Sequence, residues 1–128
     1  MDIMLIYPPV SVEERYARGV GKKVGGDLPP LGIASLGAFV RDKGFSVDVV
    51  DSIGLNLADE DLVARVRERQ PRVVGFSALT LNFYRAAAAA AKIRAAAPDT
   101  LIVIGGHHAT IMPREIIAEN PAIDILVY

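Results

Sequence analysis

Two short stretches of this sequence carry residue types suited to holding a large ligand. The first runs from Ser77 to Thr80 and offers two hydroxyl groups, each of which can donate and accept hydrogen bonds. The second begins with Gly105 and Gly106, whose lack of Cβ atoms lets a bulky or planar group lie against the backbone. Together the two stretches predict a slot with a polar floor. Taken separately, Ser77 could instead cap a helix, and the glycine pair could simply form a tight turn.

Signatures of common nucleotide and phosphotransfer sites are absent from the sequence. There is no Gly-x-x-x-x-Gly-Lys-Ser/Thr loop, and the glycines between residues 19 and 26 do not form a Gly-x-Gly-x-x-Gly turn directly after a first strand. Tyr7-Pro8-Pro9 and Ser77-Ala78-Leu79 stand where a response regulator has its acidic pair and its phospho-acceptor. These function classes are therefore disfavoured.

Alternating apolar and amphipathic segments predict the elements that must position these residues. Short apolar runs with β-branched residues predict buried parallel strands: Ile3–Tyr7, Val47–Val50, Val73–Ser77, Leu101–Ile104 and Ile123–Tyr128. Helical spacing, ended by glycine or proline, predicts the segments between them: Leu31–Lys43, Asp59–Gln70, Phe83–Ala97 and Pro113–Glu119. The pattern predicts one α/β domain over residues 1–128, with a doubly wound, flavodoxin-like sheet of five parallel strands in the order 2-1-3-4-5.

In such a sheet the ligand lies beyond the carboxyl ends of the strands, where the winding direction reverses. Here the reversal falls between the first and third strands, so the loops that begin at Tyr7, Ser77 and Gly105 are the candidates. Asp51, at the end of the second strand, is either a ligand contact or a hydrogen-bond acceptor at the helix entry. The long polar connection at 11–27 is of a length that is usually functional or disordered. The alanine run at 86–91 is interpreted as helix packing.

Composition excludes several classes of partner. The net charge of -1 offers no field to attract nucleic acid or an anionic membrane, and the absence of cysteine excludes disulfides and any iron-sulfur cluster held by this chain. No apolar stretch approaches the ~20 residues of a membrane span, and the first residues do not resemble a signal peptide. We expect a cytoplasmic protein.

The combination of motifs resembles the cobalamin-binding domains of the methionine synthase and methylmalonyl-CoA mutase type. Those domains carry Ser-x-Leu after the third strand and Gly-Gly after the fourth, which correspond here to Ser77, Leu79, Gly105 and Gly106. The resemblance implies that the serine contacts the nucleotide tail of cobalamin and that the glycines make room for it. The family's Asp-x-His-x-x-Gly motif, which supplies a histidine ligand to cobalt, is missing, because no histidine precedes His107.

The remaining motifs resemble the N-terminal domain of cobalamin-dependent radical SAM enzymes, a group that includes the anaerobic magnesium-protoporphyrin monomethyl ester cyclase and many methyltransferases. The similar segments are Tyr7-Pro8-Pro9, residues 28–36, and the Gly-Gly-x-His-Ala-Thr run at 105–110. This likeness covers essentially the whole chain. It implies a piece of a longer protein whose catalytic domain, absent from this sequence, holds a four-iron cluster and S-adenosylmethionine.

The resemblance completes the predicted set of cofactor contacts, with no residue predicted to be a metal ligand or catalytic. The set is Tyr7, Asp51, Ser77, Leu79, Thr80, Gly105, Gly106 and His107. The predicted partners are cobalamin and a C-terminal radical SAM domain, which would make the parent a methyltransferase or cyclase. The alternatives are a flavin- or small-molecule-binding regulatory module at the same place, or a purely structural interaction domain.

Overall fold

A computed structural model describes residues 1–10 and 28–128; the connection at 11–27 that was predicted to be functional or disordered lies outside them. All five strands are parallel, in the order β2-β1-β3-β4-β5. This confirms the predicted doubly wound sheet. The strands are β1 (Ile3–Tyr7), β2 (Val47–Asp51), β3 (Val73–Ser77), β4 (Leu101–Gly105) and β5 (Ile125–Val127).

The described helices end within one residue of the predicted positions, and one further helix is present. They are α1 (Leu31–Asp42), α2 (Asp59–Arg69), α3 (Phe83–Ala96), α4 (His107–Ile111) and α5 (Pro113–Glu119). Gly44 follows α1 at φ 90°, and Gln70 ends α2 in the left-handed conformation just before Pro71. The five-residue α4 was not predicted because it is too short to show a helical period. No described helix combines the length and apolar character needed to cross a membrane.

The fifth strand is shorter than the predicted run of 123–128. Asp124 lies just before it and turns its carboxylate back to accept a hydrogen bond from the Ile102 N–H at 2.7 Å. The same carboxylate binds the guanidinium of Arg94, which also donates to carbonyl groups of Pro98, Thr100 and Ala122. Asp124 therefore joins α3 to the amino end of β4, while Ile123 donates its N–H to the Asn120 carbonyl in the preceding turn.

One face of the sheet forms the main core against α2, α3, α4 and α5. Its strand residues alternate along each strand and are fully or nearly fully buried: Met4, Ile6, Val50, Val74, Phe76, Ile102 and Ile104. Ala86, Ala89 and Ala90 are completely buried, which confirms the packing interpretation of the alanine run. Small side chains let α3 approach the sheet closely, so this face holds no room for a large ligand among the described residues.

The opposite face is covered at β1 and β2 by α1, which packs closely because a Cβ on Gly37 would lie 2.4 Å from Val49 Cγ2. Beyond Leu5, whose side chain covers Gly75, the described residues leave the face uncovered over β4 and β5. Leu101, Ile125 and Val127 are 38%, 43% and 57% exposed there. We call this region the open sheet face; it consists of Ser77, Leu101, Val103, Gly105, Ile125 and Val127.

Candidate functional site

Four of the sequence-predicted residues form one row at the carboxyl end of the open sheet face and its continuation on β1 and β2. Tyr7 pairs with Asp51, and Ser77 pairs with Gly105, which in turn pairs with Val127. Ile6 pairs with Phe76, so Tyr7 and Ser77 are the next residues of neighbouring strands. Because residues in register share a face of a parallel sheet, Tyr7, Asp51, Ser77 and Gly105 lie on the same side.

The residues at the centre of this row, Ser77 and Gly105, have little or no side chain and leave the sheet backbone accessible. A Cβ on Gly105 would meet Val127 only at ordinary contact distance, 3.5 Å from its carbonyl oxygen and 3.6 Å from its Cβ. Ser77 is half-buried beside Gly105, and its hydroxyl makes no hydrogen bond to another described residue. A hydroxyl next to an uncovered glycine, bordered by the exposed side chains of Ile125 and Val127, suits a ligand with a flat apolar part and nearby polar groups.

The two adjacent glycines have different structural roles. Gly106 adopts φ 106° and ψ -178°, a conformation that side chains rarely permit. A Cβ at this position would lie 2.5 Å from the Ala78 carbonyl oxygen, whereas Gly105 has ordinary space around it. Gly106 therefore allows the β4–α4 loop to approach the β3–α3 loop, and Gly105 keeps the sheet face low.

Backbone and side-chain contacts join these two loops. The N–H of Ala78 donates to the Gly105 carbonyl at 2.8 Å, and the N–H of His108 donates to the Ala78 carbonyl at 3.3 Å. The Thr80 hydroxyl shares a hydrogen bond with His108 Nδ1 at 3.2 Å, and the imidazole lies 4.4 Å from the Phe83 ring centre. The predicted stretches at 77–80 and 105–108 thus form one connected unit.

The remaining predicted residues in these loops are exposed. Leu79 presents a partly exposed side chain, and its N–H donates to Asn82 Oδ1 at 2.7 Å. His107 is exposed at the start of α4. No group of three or more His, Asp or Glu side chains within residues 1–10 and 28–128 is placed to hold a metal ion. Sequence reasoning missed Asn82, which precedes α3 but whose side chain binds the Leu79 N–H of the loop and does not cap the helix.

At the end of β2, Asp51 is engaged in its own loop. Its Oδ1 accepts hydrogen bonds from the N–H groups of Ile53 at 3.2 Å and Gly54 at 3.1 Å, which forms an Asx turn. The half-buried Tyr7 lies beside this turn, and its carbonyl accepts a hydrogen bond from the Ser52 N–H at 3.3 Å. Asp51 therefore shapes the loop that borders Tyr7.

Ser52 was not anticipated from the sequence. Its side chain is buried, and its hydroxyl has no hydrogen-bond partner within the described part of the chain. Unpartnered buried polar groups are rare and cost free energy. Nothing in the pattern Asp51-Ser52-Ile53 signals this position, because a serine at a strand end is ordinarily read as a turn residue.

The fold is that of an α/β binding module, and the row at the carboxyl ends of β3 and β4 is its candidate ligand site. A model of the B12 binding domain family matches residues 17–128. The chain therefore belongs to the B12-binding domain family, whose cofactor is cobalamin.

Curated relatives extend well beyond the matched region. The chain is 32% identical over 119 residues to the anaerobic magnesium-protoporphyrin IX monomethyl ester cyclase of Cereibacter sphaeroides. The aligned region covers 92% of the chain and 19% of that protein. It is 30% identical over 127 residues to an uncharacterized methyltransferase of Pyrococcus horikoshii, covering 99% of the chain and 26% of the relative. The cyclase of Rubrivivax gelatinosus is 28% identical over 128 residues, or 22% of its length. The chain spans about a fifth to a quarter of these relatives.

Proposed function

We propose that this domain holds cobalamin with its nucleotide tail against the open sheet face and its corrin ring at the carboxyl-end loops. The observation that carries the proposal is the row in which the Ser77 hydroxyl lies in register with Gly105 and Val127. A tail that contains a flat aromatic base, a ribose and a phosphate needs both an apolar floor and hydrogen-bonding groups. The row offers both across three neighbouring strands.

Each residue of the row has a distinct task in this proposal. Ser77 hydrogen-bonds a polar group of the tail, and Gly105 lets the tail approach the sheet backbone. Val127 and Ile125 supply apolar contact on the β5 side, and their burial by the tail adds roughly 25 cal/mol for each Å² of apolar surface removed from water. Tyr7 borders the tail from β1.

The lower face of the corrin rests, in this proposal, on the loop after β1. This loop begins Tyr7-Pro8-Pro9 and contains no histidine, since the first histidine of the chain is His107. We therefore propose that cobalt receives no histidine ligand from this loop. Pro8 and Val10 are buried, so the described start of the loop is anchored in the fold.

The domain presents the upper face of the cofactor to a radical SAM domain elsewhere in a longer protein. That domain would hold a four-iron cluster and S-adenosylmethionine, and the parent would be a methyltransferase or cyclase, as two of the relatives are named. Bound cobalamin supplies the chemistry of methyl transfer or oxidative cyclisation, and this domain supplies binding and orientation. Exposed apolar side chains at the carboxyl-end loops support such a contact: Leu79, Leu81, Ile111 and Met112.

Size-exclusion chromatography of the chain after incubation with hydroxocobalamin tests the proposal. We expect corrin absorbance to elute with the protein in near-equimolar amount and the cofactor to raise the melting temperature. Flavin mononucleotide, tested in parallel, is expected to do neither. A protein that elutes without corrin, or that is stabilised by the flavin and not by the corrin, would overturn the proposal.

A further inference from the structure

We infer that His108 is a positioning residue for cobalamin binding, because it fixes the β3–α3 loop to the β4–α4 loop and so holds Ser77 and Gly105 in place. The inference rests on the proposed cofactor site. The sequence pattern predicted His107 as a cofactor contact, whereas in the structure it is the neighbouring His108 that makes the contacts between the two loops.

Three independent contacts converge on His108. Its backbone N–H donates to the Ala78 carbonyl at 3.3 Å, and its Nδ1 shares a hydrogen bond with Thr80 Oγ1 at 3.2 Å. Its ring lies 4.4 Å from the ring centre of Phe83, with the two planes inclined by 35°. Phe83 is buried at the start of α3, so the imidazole is anchored to the core as well as to the loop.

These contacts bear directly on the proposed site. Ala78 follows Ser77 immediately and also donates to the Gly105 carbonyl at 2.8 Å, so a shift of one loop displaces both residues of the row. A ligand that must order its loops loses affinity to the entropy of that ordering, and a loop already held in place avoids the loss. His108 and Thr80 therefore act on affinity through Ser77 and Gly105.

The test compares Thr80→Val, His108→Ala and the double variant for hydroxocobalamin affinity by equilibrium dialysis. Removing one hydrogen bond at this junction is expected to weaken binding about three- to tenfold in each single variant. Because both substitutions break the same link, the double variant should bind no more than about twofold weaker than the weaker single variant.

Thr100→Val is the matched control. Thr100 Oγ1 donates to the Pro71 carbonyl at 3.1 Å, which also links two elements, but at the amino edge of the sheet. This variant should lose stability in urea unfolding while binding hydroxocobalamin like the wild type. A general loss of stability is thereby separated from a loss of loop positioning.

His108→Asn provides the rescue, because its amide places a donor and an acceptor near the position of Nδ1. The His108→Asn variant should bind hydroxocobalamin more tightly than His108→Ala, with an affinity within about twofold of wild type. The inference is overturned if wild-type protein binds the cofactor and the Thr80→Val and His108→Ala variants bind equally well, if their losses are fully additive, or if His108→Asn restores nothing. A wild-type protein that does not bind overturns the proposed function instead.

Discussion

At the scale of single residues, adjacent Gly105 and Gly106 show what sequence can and cannot resolve. The motif indicated that both glycines make room for a ligand, yet only Gly105 lies on the open sheet face. Gly106 is required by backbone conformation and by its approach to Ala78. This division depends on a distance between two loops that are far apart in sequence, so no local pattern reveals it.

Gly106→Ala should lower the free energy of unfolding more than Gly44→Ala does. Both residues have positive φ, at 106° and 90°, and each substitution introduces strain of about 1–3 kcal/mol. Only at Gly106 would the new Cβ also collide with backbone, since nothing lies within 4 Å of a Cβ on Gly44. Urea unfolding measures both variants. Equal losses of unfolding free energy would contradict the described contact between Gly106 and Ala78.

Ser52→Ala should raise the free energy of unfolding by about 1 kcal/mol, because it removes a buried hydroxyl that has no partner among the described residues. Thr100→Val should lower it by a similar amount, about 1 kcal/mol, because that hydroxyl is hydrogen-bonded to the Pro71 carbonyl. Chemical denaturation of the two variants in parallel gives the comparison. Destabilisation by Ser52→Ala would mean that the hydroxyl has a partner in solution.

At the scale of elements, the sequence predicted β1, β3 and α5 with their observed bounds, since apolar runs and proline signals mark them clearly. It missed α4, which is too short for periodicity, and it extended the fifth strand over Ile123 and Asp124. Ile123 lies in a turn in which its N–H donates to the Asn120 carbonyl, and the Asp124 carboxylate binds Arg94 and the Ile102 N–H; a local apolar pattern shows neither contact.

The start of β1 is held to the α1–β2 turn by a carboxylate whose titration should be visible in stability. Hydrogen bonds from the Ser46 hydroxyl at 2.6 Å and the Ser46 N–H at 2.9 Å, with Arg72 nearby, lower the pKa of Asp2 from its ordinary value of 3.8. A lowered folded-state pKa stabilises the protein above the unfolded value, and the stabilisation disappears as the pH falls through the folded value.

Asp2→Asn should therefore destabilise the protein at pH 6, and this effect should shrink progressively as the pH falls below the unfolded-state pKa of 3.8. The measurement is the difference in urea midpoint between wild type and variant across this range, which removes the contribution of other carboxylates common to both. A difference that stays constant with pH would show that the Asp2 charge does not contribute.

At the scale of the whole molecule, the alternation of apolar and amphipathic segments was enough to predict the strand order that the structure confirms. The same pattern predicted the place of the candidate site. The open sheet face could not be predicted in this way, because it depends on α1 covering β1 and β2 while Leu101, Ile125 and Val127 remain exposed. The alternation of side chains along each strand predicted which residues share a face, but only the packing of the helices shows which face has space for a ligand.

The most direct test of the account is a hydroxocobalamin titration of Gly105→Leu beside wild type. A Cβ at this position meets only ordinary contacts at Val127, so the variant should fold while its side chain occupies the centre of the open sheet face. Ile117→Phe, at an exposed position of α5 on the opposite side of the sheet, is the control. We predict saturable binding by wild type and Ile117→Phe, and a loss of more than about tenfold in affinity for Gly105→Leu. Wild-type affinity in a folded Gly105→Leu variant would contradict the placement of cobalamin on this face.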